Sequence, residues 1–268
     1  MKKNVFSLLM IFIAFNAMAN PDSLKVTTIM DETTFTSENL IPNWLRILGR
    51  DLAGALAGAA TGAGAGALIG GPAGAGAGAV IGGVMGGAAA SIDAAGMVAP
   101  NDPSTLGGLA NPNNPYDDAG LMHYTGMDNI YANPTGIISL PGSLNTGNYY
   151  PRIRQTIIQN GLATASEIDQ YYLYPTFVND FNSTKALDFS PLLAQLVSQS
   201  KITQGDANFL TSYYVALENS SDYQAFKNYS IQNENEVLNS SNFSEKSKAI
   251  LLTFMATARY GAAYWQIK

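Results

Sequence analysis

The chain has 268 residues, a formal net charge of −6 at pH 7 and 47% hydrophobic residues. Its 14 Lys and Arg residues are outnumbered by 20 Asp and Glu residues, so we expect no nucleic-acid partner, because binding phosphates requires clustered positive charge. The absence of cysteine excludes disulfides, CxxC redox or zinc pairs and a cysteine nucleophile.

Residues 1–19 have the pattern of a bacterial secretory signal peptide. Two lysines start the segment, an apolar run covers residues 5–15, and Ala17-Met18-Ala19 is a small-x-small cleavage site. The apolar run is shorter than the roughly 20 residues that a membrane-spanning helix needs. We therefore expect an exported protein, either secreted or held in the cell envelope (outer membrane or periplasm).

The next segment, residues 20–50, is polar and mixed and ends in IPNWLRILGR. Apolar residues recur at helical spacing around Trp44, with Arg46 and Arg50 on another side, which predicts a short amphipathic helix. Two interpretations stay open. The helix rests at a water–lipid boundary with Trp44, Arg46 and Arg50 as interfacial anchors, or it is an ordinary surface helix.

No residue between Asp51 and Asp93 carries a charge. As one helix this stretch would be about 60 Å long, twice the hydrocarbon thickness of a bilayer, so we expect it to fold back. The turn is predicted at Gly70, Gly71 and Pro72, because glycine tolerates turn geometry and proline lacks a backbone N–H. Residues 51–97 are thus expected to form a helical hairpin with arms about one membrane span long.

Glycine occupies every fourth position of this hairpin, a spacing that lets two helix backbones approach closely. Fourteen glycines at about 0.8–1 kcal/mol each would penalise an isolated helix in water by more than about 10 kcal/mol, so lipid or close packing must support it. The predicted membrane-contacting and self-association residues are Gly54, Gly58, Gly62, Gly66, Gly70, Gly74, Gly78, Gly82 and Gly86.

Two interpretations of the hairpin remain. In the first, it enters membranes and packs into an oligomer through its glycine faces. In the second, it is buried in the protein's own helical domain, or the Gly/Ala tract is a disordered linker. The strict four-residue register argues against a linker, whereas a buried hairpin stays open.

Residues 98–150 are rich in Pro, Asn and Gly and are predicted to be an irregular connector with one short helix at residues 119–130. The connector holds the only histidine, His123, with three aspartates nearby. The five-residue spacing between His123 and Asp128 does not stack side chains on a helix. We therefore expect a solvated or capping cluster here and no metal site.

Residues 151–268 have the periodicity of a helical domain. Thr203 and Ser244 are predicted N-caps of two of its helices, and the apolar stripes that follow them are typical of a protein core. The predicted fold class is therefore all-α, with a glycine-zipper hairpin joined by a long irregular connector to a C-terminal helical domain.

No catalytic constellation, cofactor site or metal site is predicted. With one histidine and no cysteine, hydrolase chemistry would depend on His123 alone. The GAGAGA run lacks the preceding strand and the acidic residue of a dinucleotide-binding fingerprint. We expect neither an enzyme nor a cofactor.

The segment GALAGAATGAGAGALIGGPAGAGAGAVIGGVMGG (54–87) resembles the glycine-zipper segments of bacteriocin-like secreted proteins and of small envelope proteins with paired glycine-zipper helices. DDAGLMHYTGMDNIY (117–131) and ATARYGAAYW (256–265) are similar to recurring segments of exported Gram-negative proteins with a helical C-terminal region. Those proteins carry Asn after the His, where this chain has Tyr124. The resemblance implies a surface or secreted interaction protein, with antibacterial action as one role, and not an enzyme.

The leading hypothesis is a secreted, membrane-active, bacteriocin-like protein whose hairpin inserts into membranes and self-associates, and whether the assembly forms a pore stays open. Its expected partners are membrane lipid, further copies of itself and a cell-surface receptor. The alternative is a resident cell-envelope structural or interaction protein anchored by the hairpin.

Overall fold

The computed structural model describes residues 43–97, 108–186, 188–220 and 222–265. These residues form nine helices and no strand, which confirms the all-α prediction. The predicted signal peptide and most of the segment 20–50 lie outside the described residues. The helices are α1 (Asn43–Ala95), α2 (Asp118–Ala132), α3 (Thr146–Gln159), α4 (Ala165–Tyr171), α5 (Tyr174–Ala186), α6 (Phe189–Ser198), α7 (Gln204–Glu218), α8 (Tyr223–Asn239) and α9 (Glu245–Trp265).

Helix α1 folds back on itself at Gly71. This glycine has φ 61° and ψ −145°, a conformation that residues with a side chain rarely adopt. Pro72 follows it at the start of a helical segment, where the missing N–H has no partner to lose. Gly70, Gly71 and Pro72, the residues assigned to the turn, all lie at this reversal. We call residues 43–70 the first arm and residues 72–95 the second arm.

The first arm begins at Asn43, so the segment around Arg46 and Arg50 continues without a break into the glycine stretch. The sequence had suggested a separate short helix there. Ile47 and Leu48 are buried, so the first arm already packs against the rest of the fold ahead of its first glycine pair.

The hairpin lies at the centre of the described fold. Helix α9 makes the most extensive contact with α1, followed by α5, α2 and α4. The first arm, through residues such as Leu52 and Leu56, shares one apolar core with α6–α9. The second arm, through residues such as Ile81 and Met85, shares another with α2–α5 and the end of α9.

The segment 98–150 contains more helix than its composition suggests. Helix α2 is longer at both ends than the short helix expected at 119–130, and α3 begins at Thr146. Within α2, Met122, Met127 and Ile130 are buried. Tertiary packing of this face stabilises the helix in a context rich in turn-forming residues.

The helices of the 151–268 region start at identifiable caps. Thr203 Oγ1 accepts a hydrogen bond from the backbone N–H of Asp206 at 3.1 Å, and the Asp206 carboxylate accepts from the Thr203 N–H at 2.8 Å. Ser244 Oγ accepts from the Ser247 N–H at 3.0 Å. Both residues predicted as N-caps therefore satisfy N–H groups that the helix itself leaves unpaired.

Candidate functional site: the glycine hairpin and its polar contacts

The two arms touch main chain to main chain along four glycine pairs: Gly54 with Gly86, Gly58 with Gly82, Gly62 with Gly78, and Gly66 with Gly74. A methyl group on any of these glycines would overlap the carbonyl oxygen of its partner. In the described fold the four-residue stripe of each arm is therefore occupied by the other arm. This close approach is possible only because no side chain stands between the backbones.

The ninth glycine of the stripe, Gly70, lies at the turn and not in the interface. A methyl group there would meet only the Tyr171 hydroxyl, at 3.6 Å. Gly70 and Pro72 are exposed.

A second small-residue face of the second arm lies against α9, α2 and the start of the first arm. A methyl group on Gly83 would lie 2.7 Å from Thr253 Cγ2 of α9. One on Gly87 would lie 3.1 Å from Asp51 Oδ1 and 3.2 Å from His123 Nδ1. Sequence reasoning missed this face, although the glycine doublets at 82–83 and 86–87 were a signal that two faces of one helix must stay small.

The turn end of the hairpin exposes large apolar side chains. Leu68 is 90% exposed and Ile69 is 57% exposed. A single exposed apolar residue is common on protein surfaces. Here two adjacent exposed apolar residues lie at the turn. Because the hairpin carries no charge between Asp51 and Asp93, its whole turn end is uncharged.

His123 of α2 pairs with Asp51 of the first arm. Both side chains are fully buried, and His123 Nε2 lies 3.1 Å from Asp51 Oδ2. The expectation of a solvated or capping cluster around His123 is therefore wrong. Its partner lies 72 residues upstream and not among the neighbouring aspartates, so local spacing could not identify it.

Among the described residues, no group of three or more His, Asp or Glu side chains could hold a metal ion. Asp118 and Asp128, which lie close to His123 in sequence, are exposed. The pairing of His123 is thus with the hairpin and not with its own helix.

The surroundings of Asp51 are tight. Burial raises the pKa of the Asp51 carboxyl, and the neighbouring His123 opposes this rise. A methyl group on Gly261 of α9 would overlap Asp51 Oδ2. The Tyr149 hydroxyl donates to the Met85 carbonyl at 2.8 Å, and burial followed by the nearby Asp51 charge raises the pKa of this tyrosine well above its usual value.

Arg46 and Arg50, the predicted interfacial anchors, donate to the last carbonyls of helices. Arg46 Nη2 donates to Ala94 O at 3.2 Å, at the end of the second arm. Arg50 Nη1 donates to Thr184 O at 2.7 Å and to Lys185 O at 3.3 Å, at the end of α5. Positive charge is favourable at a helix C-terminus, so both arginines stabilise the end of the hairpin away from the turn, which we call its base. Trp44 lies in α1, and its side chain is outside the described part.

A cluster of buried charges ties residues 108–117 to α8 and α9. Arg259 of α9 is fully buried, and its Nε and Nη2 donate to the two oxygens of Glu234, each at 3.0 Å. Arg259 also donates to Asp117 and to the Leu109 carbonyl. Burial lowers the pKa of Arg259, but the charges of Glu234 and Asp117 outweigh that effect and raise it overall.

Two asparagines complete this cluster. The side-chain N–H groups of Asn111 and Asn114 donate to Glu234 Oε2 at 2.9 and 3.0 Å. Through Asp117 and Arg259, the cluster joins residues 117–131 to residues 256–265, the two segments that resemble those of exported Gram-negative proteins. Neither the spacing nor the composition of the sequence indicated that these residues meet.

Comparison with protein-family models, with curated proteins and with solved structures finds no match. Within the described residues, one helix, Leu45–Ala95, is long and apolar enough to cross a membrane by length and composition, a test that a buried core helix of a soluble protein also passes.

Proposed function

We propose that the protein is an exported, membrane-active protein of bacteriocin-like character. Its glycine hairpin is sheltered inside a helical domain and enters a target membrane with the turn leading. The observation that carries this proposal is the hairpin: it has no charge between Asp51 and Asp93, its two arms are packed on each other, and its turn exposes Leu68 and Ile69.

The dimensions of the hairpin suit a bilayer. At 1.5 Å per residue, the helix from Arg50 to Leu68 is about 27 Å long, close to the roughly 30 Å of the hydrocarbon core. An inserted hairpin would thus place Arg50 at one surface and the turn near the other. The uncharged turn lowers the barrier to crossing, because no ionised group would have to pass through hydrocarbon.

The hairpin can leave the domain as a unit. Its glycine contacts run between its own arms, so separation from α9, α2 and α5 would leave them intact. In hydrocarbon, helices associate through close packing of small residues. The face of Gly83, which lies against Thr253 of α9 in the described fold, would then be open to further copies of the hairpin and would support self-association and pore formation.

Dye release from liposomes tests the proposal. We expect the mature chain to release dye at micromolar concentration and Leu68→Asp to abolish release, because a carboxylate at the turn would have to cross the hydrocarbon. The matched control is Leu140→Asp, since Leu140 is also an exposed leucine, at 67%, but lies outside the hairpin. No release by the folded wild-type chain, or equal release by Leu68→Asp, would reject insertion.

An engineered disulfide tests whether the hairpin must separate from α9. The chain has no cysteine, and a methyl group on Gly83 would touch Thr253 Cγ2, so a Gly83→Cys, Thr253→Cys pair would bring the two new side chains into contact. We expect the oxidised pair to release no dye and the reduced pair to recover release. The two single-cysteine variants control for effects of each substitution on folding. Release that is the same in the oxidised and reduced states would reject separation from α9.

The second candidate is a resident cell-envelope protein in which the hairpin stays in place as a structural core. The extent of burial favours this candidate. In the apolar 18-residue stretch of α1 that could cross a membrane, 67% is buried within the fold. Fractionation of the producing cell distinguishes the two candidates. A membrane-active exported protein appears in the medium, whereas a resident protein stays with the envelope.

A further inference from the structure

Residues 108–117, which we call the strap, precede α2 and lie outside the helices. Two of their polar side chains are nevertheless buried, since Asn111 is 2% exposed and Asn114 is 5% exposed. Both donate to Glu234 of α8, and Asn114 Nδ2 also donates to the Leu252 carbonyl of α9 at 3.1 Å. Because a buried polar group is costly to leave unpaired, these bonds fix the middle of the strap to α8 and α9.

Both ends of the strap bind the same arginine. Arg259 of α9 donates to the Leu109 carbonyl near the start of the strap and to the Asp117 carboxylate at its end. Arg259 is itself paired with Glu234 in the interior. The strap therefore has a defined position on the domain that surrounds the hairpin.

Tyr116 reaches from the strap to the second arm of the hairpin. A methyl group on Gly76 would lie 2.8 Å from Tyr116 Cε1 and 2.9 Å from Tyr116 Oη, closer than a side-chain carbon approaches another atom. The tyrosine ring is partly buried and packs against both apolar cores. The glycine at this position thus makes room for the ring.

Gly76 belongs to the side of the second arm that faces α9. Gly76 and Gly83 are about two helical turns apart and so lie on one side of the arm, and Gly83 is in contact with Thr253 of α9. Tyr116 therefore covers the part of this side nearest the turn, and α9 covers the next part. Movement of the second arm away from α9 would also break its contact with Tyr116.

We propose that the strap is an autoinhibitory latch on the hairpin. Tyr116, held in place by the buried cluster around Arg259, retains the turn end of the second arm in the domain, and release begins when Gly76 separates from the ring. The regulatory role rests on the proposed function, because it concerns a hairpin that leaves the domain to insert. The contact between Tyr116 and Gly76 can be tested without a membrane.

Thiol labelling of the mature chain in solution tests the latch. Because the chain has no cysteine, Val84→Cys gives a single reporter at a fully buried position of the second arm, and Val237→Cys gives one in α8, at 1% exposure. A buried thiol reacts only when its surroundings open, so its labelling rate measures local opening. We expect Tyr116→Ala to raise the rate at the hairpin reporter about tenfold or more and to change the rate at the α8 reporter by less than about twofold.

Two control variants separate the latch from a general loss of stability. Tyr116→Phe keeps the ring and should label as the wild type does. Tyr229→Ala removes another partly buried tyrosine ring, one on α8 that contacts Tyr213, and should not favour labelling of the hairpin reporter over the α8 reporter. An equal increase at both reporters in Tyr116→Ala, or no increase at either, would overturn the latch.

Gly76→Ala tests the same contact from the side of the hairpin. Its methyl group would displace the Tyr116 ring, so we expect faster labelling of the hairpin reporter. In the Tyr116→Ala background the methyl group meets no ring and should cause no further increase. The same increase in both backgrounds would show that the two residues are not coupled and would overturn the latch. Circular dichroism of each variant checks that the helical fold is retained.

Dye release from liposomes separates a failure of the latch from a failure of insertion. If the hairpin inserts, Tyr116→Ala should release dye faster than the wild type, and Tyr116→Phe should match the wild type. Equal rates for the wild type and Tyr116→Ala would overturn the regulatory role of the strap. If neither chain releases dye while labelling remains selective for the hairpin, insertion and its regulation are both rejected, and the contact of Tyr116 with Gly76 is supported as a structural clasp.

Discussion

Between the arms of α1, four glycine pairs bring main chain against main chain with no polar side chain between them. Between α8, α9 and residues 108–117, in contrast, Arg259, Glu234 and Asp117 fill the interior with charged groups. The first interface depends on the absence of side chains between the two backbones, and the second depends on the pairing of one arginine with two carboxylates. Each should therefore be sensitive to a kind of substitution that the other tolerates.

The same contrast bears on function. Packing between small residues persists in hydrocarbon, because it needs neither water nor charge. Buried ion pairs would be expensive to carry into a bilayer. If the protein inserts, the hairpin is the part that can move, and the cluster around Arg259 belongs to the part that stays in water.

The largest effect is expected for Arg259→Met, which removes one charge from the charged interface. Glu234 is 1% exposed, so it would be left buried without its cationic partner. We expect the free energy of unfolding to fall by about 3–5 kcal/mol, measured by urea denaturation. Arg154→Met is the control, because it removes an arginine from the solvent-accessible pair with Asp169. It should lower the free energy of unfolding by only about 0–1 kcal/mol.

The double variant Arg259→Met, Glu234→Gln sharpens this test. It removes both charges, so part of the lost stability should return. If the single variant loses less than Arg154→Met, charge balance does not hold this interface.

Gly62→Ala is expected to have the next largest effect, since it adds a methyl group between the two arms of the hairpin, where the backbones are in direct contact. The new methyl group would overlap the carbonyl oxygen of Gly78, and the arms would have to separate. We expect a loss of about 1–3 kcal/mol in the free energy of unfolding, measured by urea denaturation.

The matched control lies two residues along the same arm. A methyl group on Gly64 meets nothing within 4 Å, so Gly64→Ala should gain up to about 1 kcal/mol from helix propensity. Equal effects of the two substitutions would contradict backbone contact between the arms.

Asp51→Asn tests the buried pair that Asp51 of the first arm forms with His123. Burial raises the pKa of Asp51 in the folded protein above its usual value of 3.8. A raised pKa stabilises the fold below the unfolded value, and that stabilisation is lost as pH rises through the folded value. Since asparagine does not titrate, we expect the variant's stability relative to wild type to improve as pH rises from about 4 to about 7.

Urea denaturation across this pH range measures the difference. Asp128→Asn is the control, because Asp128 is exposed on the helix that carries His123. A pH dependence that both variants share would not be attributed to the burial of Asp51. A relative stability of Asp51→Asn that falls as pH rises would show that the ion pair with His123 outweighs the burial of the carboxylate.

The all-α fold could be predicted because helical periodicity and capping residues are local properties of the sequence. Thr203 and Ser244 show this, since each caps a helix that begins directly after it. The length of α2 could not be predicted from its neighbourhood of Pro, Asn and Gly. That helix depends on burial of Met127 and Ile130, which is a property of the whole fold.

The polar part of the candidate site was beyond sequence reasoning for a related reason. Asp51 and His123 are 72 residues apart, and Glu234 and Arg259 are 25 apart. Pairs at such separations have no characteristic spacing. The sequence could show that Asp51 ends the uncharged stretch, but not that the fold places it in the interior.

The smallest effect is expected where the base of the hairpin meets the end of α5. Arg50→Gln removes a positive charge from carbonyls of Thr184 and Lys185 and should lower the free energy of unfolding by about 0.3–1 kcal/mol. Lys246→Gln makes the same change in the first turn of α9, where positive charge opposes the helix dipole, so it should be neutral or slightly stabilising. Urea denaturation at low ionic strength resolves the difference, and added salt should reduce it. If both variants lose the same stability, the position of the charge relative to the helix ends has no role, and the base of the hairpin is held by apolar packing alone.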